Sequence, residues 1–324
     1  MTYSTEQFMA NRPLLILAGP TAVGKTALSV RLAKRLDGEI ISADSMQVYK
    51  GMDIGSAKIT KSEMDGVPHH LIDILSPEEE FNIRIFQQLA KQAVQDIYSR
   101  NRIPIIAGGT GFYIQSLLYD IHFTEETSSE CRKMLEEDAL RMGNHSMHER
   151  LRSVDPVSAE LIHENNSKRV IRALEFYQLN SYPISEHNQT EKNRSSDYSF
   201  RYYILNQNRE TLYRNIEVRI DQMMSAGLLQ EVSRLKNQGC TREMVSMQGL
   251  GYKELLAYLD HTCSLSEAIE QIKESTRHFA KRQLTWFRRE KDAIWLNKED
   301  YDGGLPELEE WICQDFRHHI MTCK

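Results

Sequence analysis

Gly19, Pro20, Thr21, Ala22, Val23, Gly24, Lys25 and Thr26 spell G-x-x-x-x-G-K-[ST], a loop that functions only between a strand and a helix. The flanks supply both. Residues 14–18 (LLILA) are a short apolar run of the kind that forms a buried parallel strand. In the following LSVRLAKRL, Leu28, Leu32 and Leu36 recur every fourth residue and mark one face of a helix. In such a loop the glycines let backbone N–H groups curl around a di- or triphosphate. Lys25 adds a cation that follows the terminal phosphate, the Thr26 hydroxyl is a ligand for the accompanying Mg²⁺, and the helix N-terminus adds its dipole. A glycine turn without chemical role would need neither the strand before it nor the amphipathic helix after it. The motif names the ligand group and not the reaction. The same cradle holds the phosphates of ATP in a kinase or ATPase, or a diphosphate about to leave from carbon.

The rest of the chain extends this pattern. A second strand reads EIISADS and ends at Asp44. Ile85, Phe86, Leu89, Ala93, Val94 and Ile97 form a helical stripe, and a third strand at 103–107 runs into GGTGFYI. Strands alternating with helices predict a parallel α/β sheet covered on both faces. Residues 124–180 hold no strand-like run and read as helices, and 183–199 are polar and loop-like, before FRYYILN resumes a strand. The expected organisation is a first part of an α/β core at 1–121, a helical insertion at 122–197, and the rest of the core with C-terminal helices at 198–324. Leu212, Ile216, Ile220 and Met223 mark one late helix, and the capping box Ser264-x-x-Glu267 opens another that runs to about residue 289.

Charge and cysteine usage narrow the function classes. A net charge of −6 argues against a protein that coats nucleic acid indiscriminately, yet the charge is uneven. Residues 273–291 carry seven Lys/Arg against two Glu, whereas 299–316 carry seven acids and no base. On the late helix Lys273, Arg277, Lys281 and Arg288 fall within roughly 80° of one another. Five widely spaced cysteines without a CxxC pair suit reduced, structural thiols. No apolar run reaches the length of a membrane span, and the first residues lack the pattern of a secretory signal, so the expected compartment is the cytosol.

Asp44-Ser45-Met46-Gln47 follows the second strand, at the carboxyl edge where α/β sheets build their sites. In order along the chain stand GPTAVGKT, DSMQVYKGMDIGSAK, HHLID, GGTGFYI, SKRVIRALEFY, GLGYKE and TRHFAKRQLTWFR. With these motifs the chain closely resembles the bacterial tRNA dimethylallyltransferases, the tRNA isopentenyltransferase family, from about residue 13 to 297. DSMQVY and AKRQLTWFR are not general features of phosphate loops. The resemblance implies transfer of the dimethylallyl group of dimethylallyl diphosphate to N6 of the adenosine 3′ of the anticodon, with Mg²⁺ and without a membrane, by a protein expected to be a monomer. It implies that residues 19–26 hold the diphosphate with Arg219, and that Asp44 is the general base, with Ser45, Met46 and Gln47 beside the target adenine. It further implies tRNA contacts at Thr110, Arg132, Lys168, Arg169, Val170, Ile171 and Arg172, and at Met247, Gln248, Gly249, Leu250, Gly251 and Tyr252. The basic face at Arg277 and Lys281 joins that set.

Other residues are ambiguous from sequence. His69-His70 suit packing or hydrogen bonding better than a metal, because neighbours in a strand point apart. Trp286 and Phe287 suit either base stacking or the core, and Tyr113 either a prenyl channel or helix packing. Cys313, His318, His319 and Cys323 lack zinc-finger spacing, so no zinc is expected. Two other readings compete: a small-molecule kinase with this loop, and a non-catalytic tRNA- or nucleotide-binding protein, which Lys25, Thr26 and Asp44 count against.

Overall fold

The computed structural model describes residues 12–123, 129–192 and 195–322. Cys323 and the first eleven residues lie outside them. The first stretch alternates as β1 (Pro13–Ala18), α1 (Lys25–Leu36), β2 (Gly38–Ala43), α2 (Lys61–Met64), β3 (His69–His70), α3 (Ile83–Ser99), β4 (Ile103–Gly108) and α4 (Gly111–Leu118). Four helices follow: α5 (Ser129–Val154), α6 (Pro156–Leu161), α7 (Ser167–Asn180) and α8 (Ile184–Lys192). The chain then forms β5 (Ser199–Asn206), α9 (Arg209–Ser225), α10 (Leu228–Asn237), α11 (Tyr252–Leu259), α12 (Leu265–Phe287), β6 (Ala293–Asn297) and α13 (Leu305–Thr322).

The six strands make one parallel sheet in the order β3-β2-β4-β1-β5-β6. β1 lies between β4 and β5 and is buried along its whole length, because helices cover both faces. The glycine loop therefore leaves the middle of the sheet, at its carboxyl edge. β3 and β6 were not foreseen. β3 is two residues paired onto β2, and β6 is a half-buried edge strand, so neither is long or apolar enough to stand out before its neighbour is in place.

Contacts divide the chain into one unit of residues 1–118 and 197–324 and a second of 119–196. The second unit has its own core, in which Leu135, Met147, Leu151, Val170, Ile171 and Leu174 pack together. Asp155 organises its turn: Oδ1 accepts from Ser158 N at 2.9 Å and Oδ2 from Ser185 N at 3.0 Å. This second bond caps the start of α8 and corrects the expectation of a loop at 183–199. The local sequence is polar, but a carboxylate thirty residues upstream satisfies the first turn, and Ile184 packs on the unit's core.

Candidate active site

A cavity of about 920 Å³ opens in the larger unit. Thr21, Ala22, Gly24, Lys25 and Thr26 line it from the glycine loop, Asp44 and Gln47 from the end of β2, and Arg219 from α9. Gly24 is left-handed, with φ 98°, and caps α1, a conformation open to glycine at little cost. Lys25 folds back over its own loop: Nζ donates to the carbonyls of Gly19 at 2.9 Å and Pro20 at 2.7 Å. Burial pushes the Lys25 amine down to about 7, and the Arg219 charge adds to this while Asp44 opposes it. Burial also lowers Arg219, again against the pull of Asp44. Lys25, Arg219 and Asp44 thus line one cavity and bear on one another electrostatically, and an incoming dianion favours the charged form of both basic groups.

Local hydrogen bonds orient the β2 edge. Asp44 Oδ1 accepts from Met46 N at 2.8 Å, an Asx turn. Ser42 Oγ donates to Gln47 Oε1 at 3.1 Å, and Gln47 Nε2 donates to Ala57 O at 3.4 Å, so the amide is held at both ends. Thr110 N donates to Ala43 O at 3.3 Å, which places Thr110 beside the strand end that carries Asp44. Half-buried Met46 reaches Gly249, where an added Cβ would lie 2.5 Å from its Cε. The 44–47 segment and the 247–252 segment are therefore in contact. Ser45 is half-buried next to them.

The remaining expected site residues separate by exposure. Gly19, Pro20 and Val23 are buried parts of the loop and do not line the cavity. Met247, Gly251 and Tyr252 are buried and Gln248 is exposed, with Gly249 and Leu250 between, so of this segment's side chains Gln248 is the accessible polar one. In the helical unit the side chains of Val170 and Ile171 belong to the core, on the inward face of α7, so of the expected 168–172 segment the flanking basic residues are the accessible ones. Lys168 and Arg169 are exposed; Arg172 Nη1 donates to buried Glu175 Oε2 at 2.9 Å, and exposed Arg132 pairs with Glu136 at 3.8 Å. The basic face of α12 is partly engaged as well. Arg277 pairs with Glu217 of α9 at 2.8 Å and Lys273 with Asp221 at 2.9 Å, whereas Lys281 is exposed.

Several ambiguities resolve toward packing. Tyr113 is buried and stacks on Phe86 with ring centroids 4.5 Å apart. Phe287 is core, and half-buried Trp286 lies against Gly111 and Phe112. His70 Nε2 meets buried Glu39 at 2.7 Å, while His69 Nδ1 meets Val67 O at 2.8 Å.

Three residues that position the cavity were missed. Gln283 of α12 lines the cavity and touches the glycine loop. Glu231 of α10 accepts from the backbone of Asp53, Ile54 and Gly55, a segment that also lines the cavity. Buried Lys58 Nζ joins Tyr49 O, Asp53 and Asp73 at 2.5–2.7 Å. The available signal was a polar residue inside a buried helical stripe: Gln283 between Ala280 and Phe287, and Glu231 between Leu228 and Val232.

The donor chemistry fits a phosphate-bound magnesium. The Thr26 hydroxyl, a hard oxygen donor, lines the cavity at the start of α1. No cluster of three His, Cys, Asp or Glu occurs among the described residues, so such an ion would take most of its ligands from phosphate and water.

A parallel sheet with this loop, two basic side chains and a carboxylate at its carboxyl edge defines a phosphate-binding protein of α/β architecture. The chain belongs to the IPP transferase family, whose model matches residues 47–290. It is 56% identical over 302 residues to a tRNA dimethylallyltransferase of Lachnoclostridium phytofermentans, covering 93% of this chain and 96% of that one. The tRNA isopentenylpyrophosphate transferase of Bacillus halodurans superposes with a TM-score of 0.71 at 42% identity, over 95% of this chain and 98% of the other. A eukaryotic dimethylallyltransferase acting on tRNA superposes with a TM-score of 0.74 at 29% identity, over 88% and 74% of the two chains.

Proposed function

We propose that the chain is a tRNA dimethylallyltransferase, which moves the dimethylallyl group of dimethylallyl diphosphate to N6 of the adenosine 3′ of the anticodon. The observation that carries the chemistry is the shared cavity: a diphosphate loop with Lys25 and Arg219 faces the same space as Asp44. None of the relatives described above is named for phosphoryl transfer, so the kinase reading is not favoured.

The adenine N6 lone pair is delocalised into the ring, so the amine is a weak nucleophile and the allylic carbon must carry much of the activation. The C1–O bond breaks with its electron pair going to the diphosphate. Lys25, Arg219 and the loop N–H groups at the start of α1 stabilise that charge. Thr26 would hold a Mg²⁺ that, when bound, supplies further neutralisation of the leaving group. As N6 bonds to C1, its proton passes to Asp44, whose Oδ1 is oriented by Met46 N. The adenine reaches the cavity by leaving its stack, a smaller cost in a loop than in a duplex.

Lys168 and Arg169 on the helical unit, and Lys281 on the larger one, offer exposed charge for phosphate contacts that position RNA without reading its sequence. Among the described residues no helix is long and apolar enough to cross a membrane. A cytosolic monomer is the reading that accompanies this function. The test is mass spectrometry of tRNA incubated with the protein, Mg²⁺ and either dimethylallyl diphosphate or ATP. One dimethylallyl mass gained with the diphosphate alone is expected; ATP turnover without RNA modification would overturn the reading.

A further inference from the structure

One side chain joins the two halves of the cavity. Gln283 is 7% exposed; Oε1 accepts from Thr21 N at 2.9 Å, and Nε2 donates to Gly109 O at 3.0 Å. The two backbone partners have opposite polarity, so the amide has one orientation that satisfies both. Thr21 belongs to the glycine loop. Gly109 precedes Thr110, whose N–H bonds the carbonyl of Ala43, next to Asp44. The approach is tight: a Cβ at position 109 would stand 2.1 Å from Gln283 Nε2. One turn further along α12, Trp286 grips Gly111 in the same way, with Cδ1 2.1 Å from an added Cβ. The helix thus holds the 109–111 segment at two points and the glycine loop at one. Its other face carries exposed Lys281, two residues before Gln283 and about 160° from it around the helix.

From this geometry we propose that Gln283 is a positioning residue that couples the two substrates, so that RNA seated against α12 and the 110 edge tightens the diphosphate loop, and the reverse. The inference rests on the functional reading above. A helix that bears phosphate contacts on one face and the loop's hydrogen-bond partner on the other changes both sites when it shifts. Coupling of this kind is reciprocal, and magnitudes near tenfold are ordinary.

The experiment measures the dissociation constant of dimethylallyl S-thiolodiphosphate, an unreactive donor analogue, with and without saturating anticodon stem-loop. The wild-type chain should bind the analogue about tenfold more tightly in the presence of the stem-loop. Gln283→Met, which keeps length and removes both hydrogen bonds, should bring that ratio within about twofold of one. Gln283→Glu, the variant closest in shape, retains the acceptor for Thr21 but sets a carboxylate against the Gly109 carbonyl, and should lose the coupling too. Gly109→Ala breaks the same joint from the other side, so combining it with Gln283→Met should cost no more coupling than either alone. A merely structural role would lower the active fraction or both affinities and leave the ratio intact. A ratio unchanged in folded Gln283→Glu, or a wild-type chain that binds both ligands independently, overturns the inference alone. A wild-type chain that ignores the stem-loop overturns the functional reading together with it.

Discussion

The Tyr252 hydroxyl donates a 2.7 Å hydrogen bond to Glu231 Oε1 deep inside the larger unit. The same carboxylate accepts three consecutive backbone N–H groups, those of Asp53 and Ile54 at 2.9 Å and Gly55 at 3.1 Å. Glu231 thereby ties the cavity-lining 53–57 segment to α10 and α11. Through Ala57 O, this segment also holds the Gln47 amide.

Glu231→Gln turns one of the two acceptor oxygens into a donor, set against two of the four N–H and O–H groups that the carboxylate accepts, and should destabilise the protein by about 3 kcal/mol. Tyr252→Phe removes one bond and should cost about 1 kcal/mol. Urea midpoints at constant slope measure both. Because the hydroxyl faces Glu231, Tyr252→Phe should leave tRNA affinity within about twofold. A large loss of affinity in a stable variant would place this tyrosine at the RNA after all.

Donor binding should depend on pH through Lys25. Its amine titrates near 7 in the free protein, far below the ordinary lysine value, so above that pH it is largely neutral. An arriving diphosphate favours the charged form and raises the pKa, so binding takes up a proton at about pH 8 and hardly any below about pH 6. Affinity should fall as pH rises above 7. Calorimetry in buffers of different ionisation enthalpy reads the uptake directly. Lys25→Ala should abolish it and weaken the donor while sparing tRNA; persistent uptake in that variant assigns the proton to another group.

Asp44→Asn keeps the shape of the Asx turn and removes basicity. Single-turnover transfer should drop by about 10²–10⁴-fold with folding and tRNA binding retained. A rate within a few-fold of wild type excludes Asp44 as the base.

Salt dependence should separate exposed from engaged charges. Each lost phosphate contact flattens the plot of log K against log [salt] by roughly 0.7–0.9. Neutralising Lys168 and Arg169 together should approach twice that. Arg277→Gln should have a smaller effect, since Glu217 already holds its guanidinium. Equal slopes for wild type and the Lys168/Arg169 variant would remove the helical unit from RNA binding.

The glycine loop, β1 and the stripe of α1 were legible from the chain alone because their signals are local. A buried central strand is continuously apolar, an amphipathic helix repeats every 3.6 residues, and a phosphate loop has fixed spacing. Asp44 was legible for the same reason, as a polar residue at the end of a strand. The order of the motifs along the chain, with DSMQVY and AKRQLTWFR not general to phosphate loops, carried the reaction. Tertiary structure alone decided which of these residues share a space. Arg219 comes 175 positions after Asp44, and only the packing of α9 beside the sheet brings its charge to bear on Lys25 and Asp44. It also decided what is inaccessible: Val170, Ile171 and Tyr252 stand in motifs that read as contacts, and their side chains are core. Charge on α12 looked free until α9 supplied Glu217 and Asp221. Gln283 and Glu231 gained their roles in the same way, because a buried amide or carboxylate must find partners, and those partners lie up to 262 residues away along the chain. Periodicity reports which face of an element is buried; which backbone groups wait on the other side is set by how the elements pack.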